Sequence, residues 1–509
     1  MSRRHASSSN DSVSVEMGER PNLLLFMPDQ LRADAVGAFG NQVVQTPNID
    51  ALASRGTRFS NAFSQHSVCS QSRISIFTGW YPHVAGHRTL TNLLKPWEPN
   101  LLRILRDTGY HVAWAGHRGD TFSPGVLEDS VDRHGFAITP SAPAMQDFVG
   151  HALGVGSDAG SKHFDSFYVG LRAPDVSLDL DEATVQTAES WLAEGLPEPW
   201  VLFVALMFPH PPFTVEEPWF SLHDRADVPI PESHDLAGKP RFMRALRDAG
   251  RLERLDERDW AEIVATYYGM ISRVDDQLGR LVRAVDRAGA TDRTATAFFT
   301  DHGEYLGDFG LVEKWPSGLD DCLLRNPLVI GAPGGREGNV CDGLVELVDL
   351  LPTLLDLAEV EAPHAHFGRS LEPALRAQRG ESGLRDAAFS EGGFVRGEEY
   401  AIEPLLAGTV YENKTRLQHD DITMAGRAAV IRTKDWTYVS RVYEGDELYE
   451  RHADPRERTN LHGRPEHAAI ADALRSRLLE WMLATSDVVP HERDPRMDPE
   501  IMKMLYSQA

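Results

Sequence analysis

Residues 22–30 read Asn-Leu-Leu-Leu-Phe-Met-Pro-Asp-Gln, a short apolar run that breaks at Pro28 and releases two polar side chains. A run of this length with no alternation suits a strand covered on both faces, as in a parallel sheet. Residues 200–208 (WVLFVALMF) repeat the pattern and stop at Pro209-His210-Pro211-Pro212, and 295–300 (ATAFFT) stop at Asp301-His302-Gly303. Helical stretches separate them. Thr46-Pro47 opens a short helix that closes at Gly56, and Leu101, Leu102 and Leu105 predict another ending at Gly109, before a strand over 110–115. Ile263, Tyr267, Met270, Val274, Leu278, Leu281 and Val285 recur at three- and four-residue steps, which builds one long apolar stripe. Strands alternating with helices predict an α/β fold: a large, mainly parallel sheet sandwiched by helices.

The pattern changes near residue 370. Residues 428–433 (AAVIRT), 437–442 (TYVSRV) and 447–449 read as short antiparallel strands, and a final amphipathic helix runs from about His467 to Leu483. The expected organisation is a disordered leader over 1–20, an α/β domain over 21–370, and a smaller C-terminal α+β subdomain over 371–509 with a short antiparallel sheet. Residues 121–165 and 223–260 lack periodicity and are expected to be long loops near the site opening.

Lys and Arg total 51 against 76 Asp and Glu, a net charge of −25 over 509 residues. Nucleic acids and anionic membranes select basic surfaces, so neither is the expected partner. An anionic small molecule stays compatible, because a cation and a few local positive groups reverse the field inside one pocket. Three cysteines (Cys69, Cys322, Cys341) are too few for a disulfide framework, and no apolar run is long enough to span a membrane. Both points, with the polar first twenty residues, make a cytoplasmic location the expectation. Cys322 and Cys341 read as buried thiols, and His66 as a solvated loop histidine.

Ligands in open parallel sheets bind beyond the carboxyl ends of the strands. Three predicted strands end in Asp29-Gln30, His210 and Asp301-His302, so groups far apart in sequence can converge. Two carboxylates, an amide oxygen and an imidazole make an oxygen-rich set suited to a divalent cation such as Ca, Mn, Mg or Zn. A second feature is Cys69-Ser70-Gln71-Ser72-Arg73, followed by Thr78-Gly79. A helix starting at Cys69 would place Arg73 one turn later on the same face, and both would stabilise negative charge at position 69.

On these residues the chain resembles the sulfatase family of the alkaline phosphatase superfamily. Cys69 to Arg73 with Thr78-Gly79 is similar to the sulfatase signature. Blocks at 22–30, 46–56, 209–212, 267–279, 300–314 (TDHGEYLGDFGLVEK) and 446–461 resemble the family in the same order, across nearly the whole chain. The resemblance implies one divalent metal ion held by Asp29, Gln30, Asp301 and His302, completed by the group at Cys69. It implies that a formylglycine-generating maturation enzyme oxidises Cys69 to formylglycine, whose hydrate supplies the attacking oxygen. Arg73 would hold that group and balance charge, Lys314 would bind substrate oxygens, and His210 would bind the anion or act near the leaving group. Asn92 would contact the substrate anion.

Three positions depart from the pattern. Gln71 stands where the family has Pro or Ala, so the form of position 69, formylglycine or thiolate, stays open. Gly116-His117-Arg118-Gly119 replaces a Gly-Lys-Trp-His block, with His117 standing in for the lysine. Gln30 replaces a second Asp, which is similar to the phosphonate monoester hydrolase and phosphodiesterase branch. The leading expectation is hydrolysis of a small sulfate ester. Phosphonate monoester or phosphodiester hydrolysis with the same site is the alternative, and a non-catalytic anion-binding member is the second. The oligomeric state is left open, a homo-oligomer included.

Overall fold

A computed structural model describes residues 20–116, 119–153, 161–232, 235–377, 385–491 and 503–504. The leader expected over 1–20 lies outside these residues except for Arg20, and so does His117. Strands are numbered along the chain, beginning with β1 (Asn22–Met27), β2 (Thr57–Phe63), β3 (His111–Ala115) and β4 (Arg133–Gly135). β5 (Tyr168–Leu171), β6 (Trp200–Ala205) and β7 (Phe213–Val215) follow, then β8 (Thr294–Phe299), β9 (Arg325–Gly331) and β10 (Asn339–Glu346). The main sheet has the order β10-β2-β9-β8-β1-β6-β3-β4. It is mainly parallel, as expected, but β9 runs antiparallel to both β2 and β8.

β1 sits at the centre and shows why its apolar run does not alternate. Leu24 and Phe26 enter one hydrophobic core, while Leu23, Leu25 and Met27 enter another on the opposite face. β6 divides in the same way, with Leu202 and Val204 on the first side and Val201, Phe203 and Ala205 on the second. The first core is roofed by the long helix Glu257–Arg287, whose start is fixed by a capping box between Asp256 and Asp259. The second is covered by Cys69–Thr78, Leu101–Asp107 and Leu350–Leu357. Each buried Leu, Phe or Val contributes about 1.5–3 kcal/mol of transfer free energy, so the sheet is held from both sides. Among the described residues, no helix is long and apolar enough to cross a membrane.

Near the C-terminus, β11 (Ala388–Gly392), β12 (Ala428–Arg432), β13 (Trp436–Arg441) and β14 (Glu447–Glu450) form a four-stranded antiparallel sheet. Val430 and Val439 on one face join the first core, while Ile431, Tyr438 and Leu448 pack against Leu474, Leu478 and Trp481 of the Ala468–Ala484 helix. The two long segments read as loops are not loops throughout. They carry β4 and the helix Ala142–Leu153 in one, and the helix Arg241–Ala249 and the start of the long helix in the other. Arg241–Ala249 buries Phe242 and Met243, with Leu246 packed beside them, one apolar face in a stretch otherwise rich in Arg and Asp.

Glu391 at the end of β11 ties this sheet to the main body. It is fully buried, accepts from the His83 backbone N–H (2.9 Å) and ring Nδ1 (2.6 Å), and pairs with Arg427. Burial opposes its charge, but Arg427 and the His83 hydrogen bonds win and hold its carboxyl down at about 2, against an ordinary 4.5. A depressed carboxyl stabilises the fold above its unfolded value and loses that contribution as pH falls through the folded one. Glu391→Gln is therefore expected to cost about 3 kcal/mol at pH 7 and to shrink the loss of stability between about pH 4.5 and 2. Denaturant unfolding at a series of pH values checks this, and parallel curves for the two proteins would refute it.

Candidate active site

β1, β2, β6 and β8 all finish at one edge of the sheet, because β1 pairs in parallel with β6 and β8, and β2 and β8 both run antiparallel to the β9 between them. Asp29 leaves β1, Asp301-His302 leave β8, and the chain beyond β2 turns into the helix that begins at Cys69. One donor atom each from Asp29, Cys69, Asp301 and His302 lies within 4.8 Å of the others, and all four residues are buried. Cys69 Sγ stands 3.2 Å from His302 Nε2 and 3.7 Å from Asp29 Oδ1. The His302 Nδ1 hydrogen points to the Gly303 carbonyl at 2.9 Å, so Nε2 presents a lone pair to the cluster. Two carboxylates and an imidazole in the ligating tautomer fit a divalent cation.

The helix Cys69–Thr78 is buried at every position, and Arg73 lies one turn in from its start. Its guanidinium reaches three carboxylates: Nε to Asp301 (2.8 Å), Nη1 to Asp120 (2.8 Å) and Nη2 to Asp29 (2.9 Å). This changes the expected electrostatics of Cys69. Burial, then the Asp29 charge, pushes its thiol well above the ordinary value, outweighing Lys314 and Arg73. Arg73 is engaged with three carboxylates, so its pull on a negative charge at position 69 is outweighed.

Gln30 adopts a left-handed backbone (φ 64°), rare for a side chain of its size. That bend lets its N–H donate to Asp301 Oδ1 (3.1 Å) while its carbonyl accepts from Tyr267 (2.7 Å). Its side-chain amide donates through Nε2 to Glu304, so Oε1 faces the site and accepts from Lys314 Nζ at 2.6 Å. Glu304 is fully buried, and burial together with Glu313 pushes its carboxyl up to about 7. Lys314 Nζ also contacts Glu313 (2.7 Å) and His210 Nε2 (2.9 Å). His210 directs Nδ1–H to the Pro211 carbonyl (2.6 Å), which leaves Nε2 to accept the lysine proton. Lys414, from the helix Glu412–Asp420, holds the other oxygen of Glu313 at 3.0 Å.

The structure thus brings together Asp29, Gln30, Cys69, Arg73, His210, Asp301, His302 and Lys314. The Asn92 side chain instead donates within its own loop, to the carbonyls of Ala85 (3.4 Å) and Gly86 (2.8 Å). His66 is not solvated: it is fully buried, accepts from the Val68 N–H at 3.0 Å, and burial lowers its pKa to about 3. Cys341 is buried, whereas Cys322 is partly exposed. Asp120, Glu304, Glu313 and Lys414 were missed by sequence reasoning. Glu304 and Glu313 lie inside the 300–314 block, but nothing in its spacing tells an inward carboxylate from a solvated one. Lys414 sits a hundred residues downstream on a mostly polar helix, with no local signal.

The sulfatase family model matches residues 21–360. The chain belongs to the sulfatase family. This sulfatase is 29% identical to a multifunctional alkaline phosphatase superfamily protein, PehA, of Trinickia caryophylli, over 92% of this chain and 96% of the relative. An arylsulfatase of Clostridium perfringens is 25% identical over 91% of this chain and 94% of its own. Among solved structures, the phosphonate monoester hydrolase of Agrobacterium radiobacter superposes with a TM-score of 0.73 at 25% identity, covering 94% of this chain and 100% of that one. The sulfatase is accordingly an enzyme of the sulfuric ester hydrolase class.

Proposed function

We propose that this sulfatase hydrolyses a small sulfate monoester with an oxidised Cys69, a formylglycine, as nucleophile and one divalent cation beside it. The observation that carries the reading is the meeting of Cys69, at the first turn of a buried helix, with Asp29, Asp301 and His302 inside 4.8 Å. Asp29, Gln30, Asp301 and His302 would hold the cation, with position 69 completing the set. When bound, the cation supplies Lewis-acid stabilisation of the attacking oxygen and of the ester, and the oxidised side chain supplies that oxygen. Membership of the sulfatase family, whose members typically use a formylglycine and a metal ion, supports the oxidised form despite Gln71.

The chain's own groups do the rest. Arg73 fixes the spacing of Asp29 and Asp301, so both present oxygens to one point. Lys314 brings positive charge against the oxygens of the transferring group, where it stabilises developing negative charge. Lys314 Nζ and His210 Nε2 share a proton 2.9 Å apart, and this pair delivers it to the departing alcohol oxygen. Maturation of Cys69 requires an oxidising partner enzyme acting on the segment around Gln71.

A second reading, phosphonate monoester or phosphodiester hydrolysis with the same site, is supported by the likeness to the phosphonate monoester hydrolase of Agrobacterium radiobacter. Both phosphorus esters carry one negative charge, as a sulfate monoester does, so the same cation and Lys314 would serve either. Mass spectrometry of the tryptic peptide Phe59–Arg73 is expected to show formylglycine or its hydrate in active protein, and an unmodified thiol in fully active enzyme would refute the mechanism. Aryl sulfate, aryl phosphonate and diester substrates are to be assayed in parallel. Sulfate turnover about a hundredfold or more below the phosphorus substrates would move the assignment to the second reading.

A further inference from the structure

We propose that Asp181, a buried carboxylate outside the metal-ligand cluster, is the positioning residue for His210. Its two oxygens accept the backbone N–H groups of Met207 (Oδ1, 2.6 Å) and Phe208 (Oδ2, 2.8 Å). His210 N–H then closes the turn onto the Met207 carbonyl at 2.9 Å. The Phe208 carbonyl is fixed in turn by the Asp29 N–H at 3.2 Å. The turn carrying His210 is therefore pinned on one side by Asp181 and on the other by the backbone of Asp29.

The base from which Asp181 reaches is itself rigid. Asp181 lies in the first turn of the helix Leu180–Glu194, next to the N-cap Asp179, which accepts from the Glu182 N–H at 2.8 Å. Asp179 is clamped by Arg273 through Nη1 (2.8 Å) and Nη2 (2.9 Å) and by Arg172. Burial, then the neighbouring Asp179, pushes the Asp181 carboxyl up to about 6, so keeping it ionised works against the fold. A neutral side chain could pack there without that cost. What the carboxylate provides is two strong acceptors aimed at successive N–H groups, and hence a single position for the residue two places on.

The proposal rests on the proton-delivery role given to His210, and a double-mutant cycle separates the two. Wild type, Asp181→Ala, His210→Ala and the double variant are assayed as holoenzyme on the best substrate of the panel and on an analogue with a less acidic leaving alcohol. His210→Ala is expected to lower kcat about 100-fold, more on the poorer leaving group. Asp181→Ala should lower kcat by about tenfold or more with KM nearly unchanged and the same leaving-group trend, and should cost nothing further in the His210→Ala background. Asp181→Asn, which keeps one acceptor oxygen, should fall between, and it runs the same cycle if the alanine variant does not fold. Equal losses in both backgrounds would make Asp181 a merely structural residue and overturn the proposal. A neutral His210→Ala would instead remove the role of His210, and the proposal with it.

Discussion

Cys69→Ala is expected to lose turnover by about 10⁴-fold or more while keeping the fold, since removing a nucleophile leaves only residual catalysis by the rest of the site. The thiol is small and makes contacts of 3.2 Å and 3.7 Å with His302 and Asp29. Whether cysteine or its oxidised form stands there, the side chain is small, so its removal leaves only a small cavity. The expected stability change is about 1 kcal/mol, within the range of ordinary point substitutions. The variant should therefore unfold close to wild type and show no turnover of any ester in the panel. Activity within tenfold of wild type would mean that the chemistry does not pass through position 69. Retained binding of product-like anions, with no turnover in wild type either, would favour the non-catalytic alternative.

Arg73→Ala is the second large effect, and it strikes stability as well as activity. The guanidinium is fully buried and answers Asp29, Asp301 and Asp120 together. Breaking a buried pair by removing one partner costs about 3–5 kcal/mol, because the remaining charge stays desolvated and uncompensated. Here two buried carboxylates lose their shared cation at once. The expected result is a destabilisation at the upper end of that range and a loss of turnover of about 10³-fold, since Asp29 and Asp301 no longer hold their spacing. Arg73→Lys keeps the charge but not the three-way fork, so it should recover part of the stability and little of the activity. Thermal unfolding and kcat of both variants decide this. A lysine variant with wild-type turnover would show that charge alone suffices.

Much of the architecture was legible because burial on both faces leaves an unbroken apolar run. β1, β6 and β8 were placed from such runs, and the long helix from one uninterrupted stripe. β9, whose reversed direction makes the sheet mixed, carries no sign of direction in its residues, because a strand's polarity depends on what it pairs with. The helix Arg241–Ala249, with Phe242, Met243 and Leu246 on one face, lies inside a stretch rich in Gly, Pro and charge that reads as loop.

At the site, the chain itself determined which residues stand at the strand ends and that Arg73 lies one helical turn from Cys69. Those are matters of local sequence and helical or strand period. Only the tertiary structure decided what Arg73 does, since its three carboxylates come from segments 44, 47 and 228 residues away. It also decided that burial and Asp29 push the Cys69 thiol up and that the Gln30 amide turns its oxygen to Lys314. Charge state and side-chain orientation are set by burial and by partners, and both exist only after the chain has folded.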